Sequence, residues 1–454
     1  MKGGVKGRRL VDWHEGLTIN EWRYFMKYIF GTRMSLLAIV ILCGVFVFAG
    51  CTSKDNESES VDGEPTPITL KVHFGEDENF IDSFIKPAED AFPHITFEHV
   101  EGEYDEVIAD GNIPDILFFW NRADTLHAAE HELTYDMTEL IEEADFDISR
   151  YDPNHLAEWQ AVSEGEIWAL PLMTSRFALM YNKDVFDVFG IEYPEDGMNW
   201  EEVIDLAEKV TGERNGTEYQ GLYMPKHEAP IFWTAGNLVD PESDEPIWTD
   251  NEEVRKYFDL YKQAYSIPGN PYIPEHWEED GWDDLFSQGK LAMVAQFFGV
   301  PGEESNANWD IVTYPEPENG VPSRGWAMGI GSASEHKEEV MEVFKLWYSD
   351  EELLKNTVIR GPLYLPFQHL YDNDKATEAA LEQNEEIWED RNMEALFSLP
   401  VADPPEEISK YNSDGAVGEA LYDYIQEEQM DLNTLLREKY EEEVIRIKEE
   451  KGQE

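Results

Sequence analysis

Residues 113–120 read "IPDILFFW". Successive side chains of a β-strand point to opposite faces, so five apolar or aromatic side chains in succession cannot belong to a strand with one wet face. The run fits a strand covered on both sides by helices, as in parallel α/β sheets. The neighbouring segments agree. "ITLKVHFG" (68–75) and "ITFEHVEG" (95–102) read as strands, while "NFIDSFIKPAEDAF" and "LHAAEHEL" carry helical spacing, with Pro87 expected to kink or break the first helix. Strands alternating with helices predict an α/β fold with a parallel sheet. In such sheets ligands bind beyond the carboxyl ends of the strands. That rule places Glu76 and Asp77, after the first strand, and Trp120 and Asn121, after the third, at a candidate cleft.

The pattern then starts again. "EGEIWALPLMTSRFALMYNKDVF" (164–186) is apolar but broken by Pro171 and by the polar pair Ser175 and Arg176, and it is too short and polar to span a membrane. After it, "NWEEVIDLAEKV" predicts a helix N-capped by Asn199 with an acidic first turn. "FSQGKLAMVAQFFG" repeats the design of the 164–186 stretch, "WDIVTYPEP" and "GWAMGIGSAS" read as strands, and the tail from 417 to about 448 reads as helix. With 454 residues, 42% of them apolar, the chain exceeds what one core of about 250–300 residues fills, so two α/β halves are expected.

The net charge of −63 keeps such a chain soluble and repels nucleic acid, and the body carries no basic patch. The acids read as a solvated shell. Scattered calcium sites are the lesser alternative, since no D-x-[DN]-x-[DN]-G loop occurs.

The N-terminal region differs. From Met26, "MKYIFGTRMSLLAIVILCGVFVFAGC" has basic Lys27 and Arg33, an apolar core over 36–48, and small residues before Cys51, the pattern of a secretory signal. An uncleaved membrane anchor is the alternative. Residues 1–25 lie upstream of this signal. The two cysteines, Cys43 and Cys51, both fall within it, so no disulfide or thiol chemistry is expected in the body. Beyond residue 50 the chain holds 27 Lys and Arg against 94 Asp and Glu, so the acidity belongs to the exported part. Residues 51–66 are polar and read as a disordered tether. Small-small-Cys resembles a bacterial lipoprotein signal, which implies lipidation of Cys51, attachment to the membrane by that lipid, and an extracellular position for the body.

Four segments in order, "GNIPDILFFWN", "IWALPLMTSRFALMYNKDVFDVFGI" with "NWEEVIDLAEKV", "FSQGKLAMV" and "GWAMGIGSAS", resemble the extracellular solute-binding proteins of bacterial ABC importers, nearest the carbohydrate branch that includes the maltodextrin-binding proteins. The resemblance implies a two-lobed, periplasmic-binding-protein-like (type II) α/β fold with hinge crossovers, here 67–174 and 296–359 in lobe 1 and 175–295 and 360–454 in lobe 2. It implies a monomer with no cofactor and no catalysis, which captures a sugar between its lobes and hands it to a membrane permease. Closure of this kind requires the ligand to favour the closed state.

Sugars present apolar C–H faces and hydroxyl rims, so a sugar site pairs flat aromatics with a few polar groups. The resemblance implies such roles for Trp120 and Trp326 as stacking rings, for Phe297 and Phe298 at the end of the return segment, and for Trp233 within "YMPKHEAPIFWTAGN". It implies polar contacts from Glu76, Asp77 and Ser175. Core packing is the alternative for each ring. Arg176 requires a partner, either an acid of the opposite lobe or the solute. Tyr181 and Asn182 read as hinge packing. Lys226 and His227 stand where the maltodextrin binders carry an acid and a tyrosine, and "YNSDGAVGEAL" lacks their late stacking tryptophan, which argues against a maltodextrin.

Rival chemistries are few. "HAAEH" (127–131) matches the H-x-x-E-H zinc-protease motif, with His127 and His131 as ligands and Glu130 as base. A glycosidase needs two carboxylates at a fixed separation, and no motif selects a pair among 97 acids. There is no G-x-S-x-G, P-loop or G-x-G-x-x-G pattern. A peptide or polyamine remains the alternative solute. Iron is disfavoured because the expected tyrosine pair has no counterpart.

Overall fold

The structure is a computed structural model. It describes residues 65–74, 80–102, 104–163, 165–224, 237–272, 281–302, 305–315, 320, 324–356, 365–372, 374–412, 415–426 and 430–453. The signal, Cys51, most of the tether, Glu76, Asp77, Lys226, His227 and Trp233 lie outside these residues.

Two five-stranded sheets organise the chain. The first has the order β2-β1-β3-β10-β4 and is built from β1 (Ile68–His73), β2 (Ile95–Val100), β3 (Ile116–Phe119), β4 (Leu170–Ser175) and β10 (Arg324–Ile330). The second has the order β6-β7-β8-β5-β9 and comprises β5 (Phe177–Asn182), β6 (Gly212–Arg214), β7 (Thr217–Tyr223), β8 (Leu291–Phe297) and β9 (Trp309–Thr313). In the first sheet β1 runs parallel to both β2 and β3, as the strand–helix alternation predicts. β10 is antiparallel to β3 and β4. Likewise β5, the strand by which the chain first enters the second sheet, is antiparallel to β8 and β9. β5 and β10 reach their sheets from the other lobe rather than through a crossover helix, which frees them from the parallel direction that helix crossovers impose. The sheets are therefore mixed, not purely parallel.

Helices cover the sheets. A π-helical turn at Ile81–Ile85 leads into α1 (Lys86–Ala91). Pro87 sits at the start of α1, where its missing N–H costs least, and the wider π turn before it takes up the steric demand of the ring. α2 (Tyr104–Ala109), α3 (Arg122–Glu130), α4 (Thr138–Glu143) and α5 (Pro153–Gln160) complete the first half. In the second half, α6 (Lys183–Phe189) and α7 (Trp200–Val210) follow β5. Asn199 caps α7 in a full capping box: its side-chain oxygen accepts from Glu202 N–H at 2.9 Å, and the Glu202 carboxylate accepts from Asn199 N–H at 3.0 Å. The C-terminal tail is two helices, Gly415–Gln426 and Leu432–Gln453. Asp431 opens the second by accepting from Thr434 N–H at 3.0 Å. Among the described residues no helix is long and apolar enough to cross a membrane.

Each sheet has its own core. In β3 the predicted two-sided burial is realised: Ile116 and Phe118 join the main core of the first lobe, with Leu70, Val340 and Trp347, while Leu117 and Phe119 pack with Trp159 and Ala327 on the other face. The second core gathers Phe177, Leu179, Trp200, Phe258, Met293, Trp309 and Trp388. In "GWAMGIGSAS", a Cβ on Gly329 would meet the carbonyl of Trp168 and the Phe119 ring, and one on Gly331 would meet the carbonyl of Pro114. Only glycine permits that backbone approach.

The lobe boundaries are set by these sheets. β4 ends at Ser175 in the first sheet and β5 begins at Phe177 in the second, leaving Arg176 as the link. β8 and β9 both belong to the second sheet, so the boundary drawn from sequence at 296 falls inside β8, and the return to the first lobe comes after Thr313. The reason is register: Phe177 pairs with Phe297, and β5 is held between β8 and β9. The third link also lies later than 360. Leu365, Phe367 and Leu370 pack in the first core, and the helix Lys375–Gln383 begins with Ala376 in the first core and reaches Ala380 in the second.

Candidate functional site

The first sheet ends in a group of rings. Phe74 follows β1, Phe118 lies on β3, and Trp120 follows β3. The Trp120 ring stacks on Phe74 with centroids 5.5 Å apart and planes 28° apart, and meets Phe118 edge-on at 5.0 Å. Trp326, on β10, approaches Trp120 edge-to-face at 5.5 Å and 83°. The antiparallel register explains this meeting, since Ala327 pairs with Phe119, Trp120 follows Phe119 and Trp326 precedes Ala327. Phe74 and Phe118 are buried, whereas Trp120 and Trp326 are only half-buried. Two partly open indole rings, supported from below by buried phenylalanines, thus lie beyond the carboxyl end of β3.

The same turn fixes the start of α3. Asn121 is its N-cap, its side-chain oxygen accepting from Asp124 N–H at 3.2 Å, and the Asp124 carboxylate in return accepts from Trp120 N–H at 2.8 Å. This reciprocal pair holds the Trp120 backbone and commits the Asn121 side-chain oxygen to the helix end. At the opposite end of β3, Asp115 accepts from Lys71 N–H at 2.8 Å and from the Ser334 hydroxyl at 2.5 Å, tying β1, β3 and the turn after β10 together.

The crossover has a different character. Arg176 is 2% exposed. The structure sets it near His155 of α5, in the first lobe. Burial first, and the Arg176 charge second, push the His155 imidazole down to about 3, so His155 is neutral at ordinary pH. The Arg176 carbonyl accepts from Phe298 N–H at 2.6 Å, joining the crossover to the end of β8. The backbone of Ser175 pairs with Arg324 and that of Phe297 with Phe177, but the side chains of Ser175 and Phe297 lie outside the described part. The Phe298 ring packs on Trp388 at 5.4 Å and on Trp309 at 5.9 Å, against the second core. Sequence reasoning grouped Phe298 with Trp120 and Trp326, whereas the structure gives it packing partners in lobe 2.

Tyr181, Asn182 and Lys183 tie the second lobe together. The Tyr181 hydroxyl donates to Asp310 at 3.5 Å, Lys183 pairs with Asp310 at 2.8 Å, and Asp310 also accepts from Asn392 N–H at 2.8 Å. Burial, then the Asp310 charge, raise the Tyr181 phenol. Asn182 is fully buried and caps α6 by accepting from Asp184 N–H at 3.0 Å.

His155, Phe74 and Phe118 are the participants that sequence reasoning missed. A histidine within a helix offers no local pattern, but Phe74, at the end of the first strand, occupies the same topological position as Trp120 and was open to the same inference. Among the described residues no group of three or more His, Cys, Asp or Glu is arranged to hold a metal ion.

The family model for bacterial extracellular solute-binding proteins matches residues 77–353. A binding protein of Brucella abortus is 26% identical over 227 residues, which are 45% of this chain and 52% of that protein, so the chain spans about half the length of the curated relatives it matches. Among solved structures, the ABC substrate-binding protein of Listeria monocytogenes in complex with cycloalternan superposes with a TM-score of 0.64 at 19% identity, covering 85% of this chain and 99% of that one. The sugar-binding protein MalE of Xanthomonas citri gives a TM-score of 0.65 at 15% identity, covering 85% and 100%. These likenesses show the two-lobed, type II binding-protein fold. The family is one of binding proteins and not of enzymes, which removes the metalloprotease reading of 127–131. A match over residues 77–353, well over half of the chain, establishes that it belongs to the bacterial extracellular solute-binding proteins.

Proposed function

We propose that this protein is the capturing component of an ABC importer and that its solute is a sugar or oligosaccharide enclosed between the lobes. The observation that carries this reading is the pair of half-buried indoles, Trp120 and Trp326, at the carboxyl end of the first sheet. An indole face matches the apolar C–H face of a pyranose, and rings held by buried phenylalanines lose little freedom on binding. Similar structures include a Streptomyces glaucescens receptor in complex with acarbose and a protein with mannotriose bound, which supports a carbohydrate as the class. Glu76, Asp77, Ser175, Trp233 and Phe297 remain proposed ligand contacts. Arg176, beside neutral His155, is assigned to the pivot, where its charge acts on the solute from behind the crossover. Lipidation of Cys51 would hold the monomeric body at the outer face of the cytoplasmic membrane, within reach of the permease.

A thermal-shift screen of the mature chain against mono- and oligosaccharides, peptides and polyamines tests the proposal. A ligand at 100 times its Kd stabilises the folded state by about 2.7 kcal/mol. A rise in melting temperature with a sugar is the expected result. A rise with peptides or polyamines and with no sugar would overturn the carbohydrate assignment.

A further inference from the structure

His127 and His131 lie one turn apart at the C-terminal end of α3, His131 as its cap residue. Their Nε2 atoms are 3.3 Å apart. The ring of Tyr104, from α2, lies against both, with centroids 5.1 Å from His127 and 6.0 Å from His131. On the far side of the His131 ring, Nδ1 is 3.4 Å from the Asp105 carboxylate, also on α2. Glu130, the base of the protease motif, is exposed. The two rings share a hydrogen bond between their Nε2 atoms, which aims both of these nitrogens at one point.

Two nitrogens that each bind one zinc ion at about 2.0–2.1 Å in a tetrahedral arrangement stand about 3.3 Å apart, whereas a right-angled arrangement would bring them to about 2.9 Å. The hydrogen-bonded separation of 3.3 Å already equals the tetrahedral one, so a metal could replace the shared proton without moving either ring. Asp105 supplies a second, independent pointer. A carboxylate beside His131 Nδ1 favours the tautomer with the proton there, in which Nε2 accepts from His127, and carboxylate–histidine pairs of this kind orient metal ligands. Tyr104 fixes both ring planes.

We propose that His127 and His131 form a surface site for a zinc-class divalent ion on the first lobe, with Asp105 as a positioning residue and water completing the tetrahedron. Binding forms two Zn–N bonds, and the six-coordinate aqua ion releases every water beyond those that complete the tetrahedron. Where His127 carries its proton on Nε2, that proton moves through solvent to Nδ1, and no net charge is lost. Imidazole ligands select zinc and its late first-row neighbours over calcium and magnesium, which prefer oxygen donors. The site thus differs in kind from whatever loose cation binding the acidic surface provides.

The test is zinc titration of the whole mature chain in excess Ca²⁺, which occupies carboxylate sites, with the histidine resonances followed by NMR. One zinc per chain that shifts two imidazoles is expected, and His127→Asn and His131→Asn should each abolish it. Asp105→Asn should weaken binding about tenfold, the lower end of the range for an outer-shell partner, because that carboxylate is 87% exposed. Equal metal-free melting temperatures show that the variants fold. Zinc uptake unchanged in both histidine variants, or zinc uptake that Ca²⁺ removes entirely, would overturn the site. Unchanged affinity in Asp105→Asn would remove Asp105 from it.

Discussion

The two lobes use aromatic residues in opposite ways. At the end of the first sheet, Trp120 and Trp326 keep part of their surface open over buried Phe74 and Phe118. In the second lobe, Trp309 and Trp388 are 5% and 2% exposed, Phe298 packs on both, and the Arg391 guanidinium sits 4.2 Å above the Trp309 ring while donating to the Trp309 carbonyl at 3.0 Å. The first group is a platform and the second is a core that comes up to the surface. An aromatic residue close to the end of a strand is thus not by itself a ligand contact. What distinguishes the two is whether another element has already covered the ring.

The strongest way to break this comparison is Trp388→Ala. Removing a fully buried indole costs about 3–5 kcal/mol, so a large drop in melting temperature is expected, with sugar affinity nearly unchanged well below the transition. A folded variant that had lost affinity would make the second group part of the site.

The pivot between the lobes tests next. His155 is neutral when folded and titrates near its ordinary value when unfolded. The unfolded chain therefore binds the extra proton, and the contribution of His155 to stability is complete above about pH 6.5 and falls away as pH drops towards 3. Chemical denaturation from pH 7 to 4 should show His155→Gln losing less stability than the parent. Parallel curves would mean that His155 is solvated in the native state.

Trp120→Ala should lower sugar affinity tenfold or more, about 1.4 kcal/mol or above, while costing less stability than Trp388→Ala. Titration by intrinsic fluorescence or calorimetry measures it, and equal affinities would place the platform elsewhere. The smallest effect belongs to Asn199→Ala, which removes the capping box of α7 in the second lobe. A loss of about 1 kcal/mol is expected, with no change in affinity.

Most of the strands were legible because period and composition act locally. The run at 116–119 had to be buried on both faces, and it is. The capping of α7 was legible for the same reason, since Asn199 and Glu202 are three residues apart. Sheet membership was not. "LAMVAQF" is equally apolar whichever sheet it joins, and only its pairing with β5 puts it in the second lobe. The site divides along the same line. The place of Trp120 was legible because a topological rule fixes it at a strand end. The difference between Trp326 and Phe298 depends on Trp388, about 90 residues further along the chain from Phe298, folding back over it.

The helix Lys375–Gln383 has a mechanical consequence. Ala376 is anchored in one core and Ala380 in the other, four residues apart, so the helix spans the junction in roughly 6 Å of axial rise. Arg176 forms an even shorter strap between β4 and β5. Tethers this short cannot let the halves translate apart. They leave rotation about a line through the straps as the one cheap displacement, in which points beside the axis barely move and those at the rim sweep widely. The lobes behave as a pair of jaws on a fixed pin. A small angular change there is enough to alter the outline of the molecule at the jaw tips.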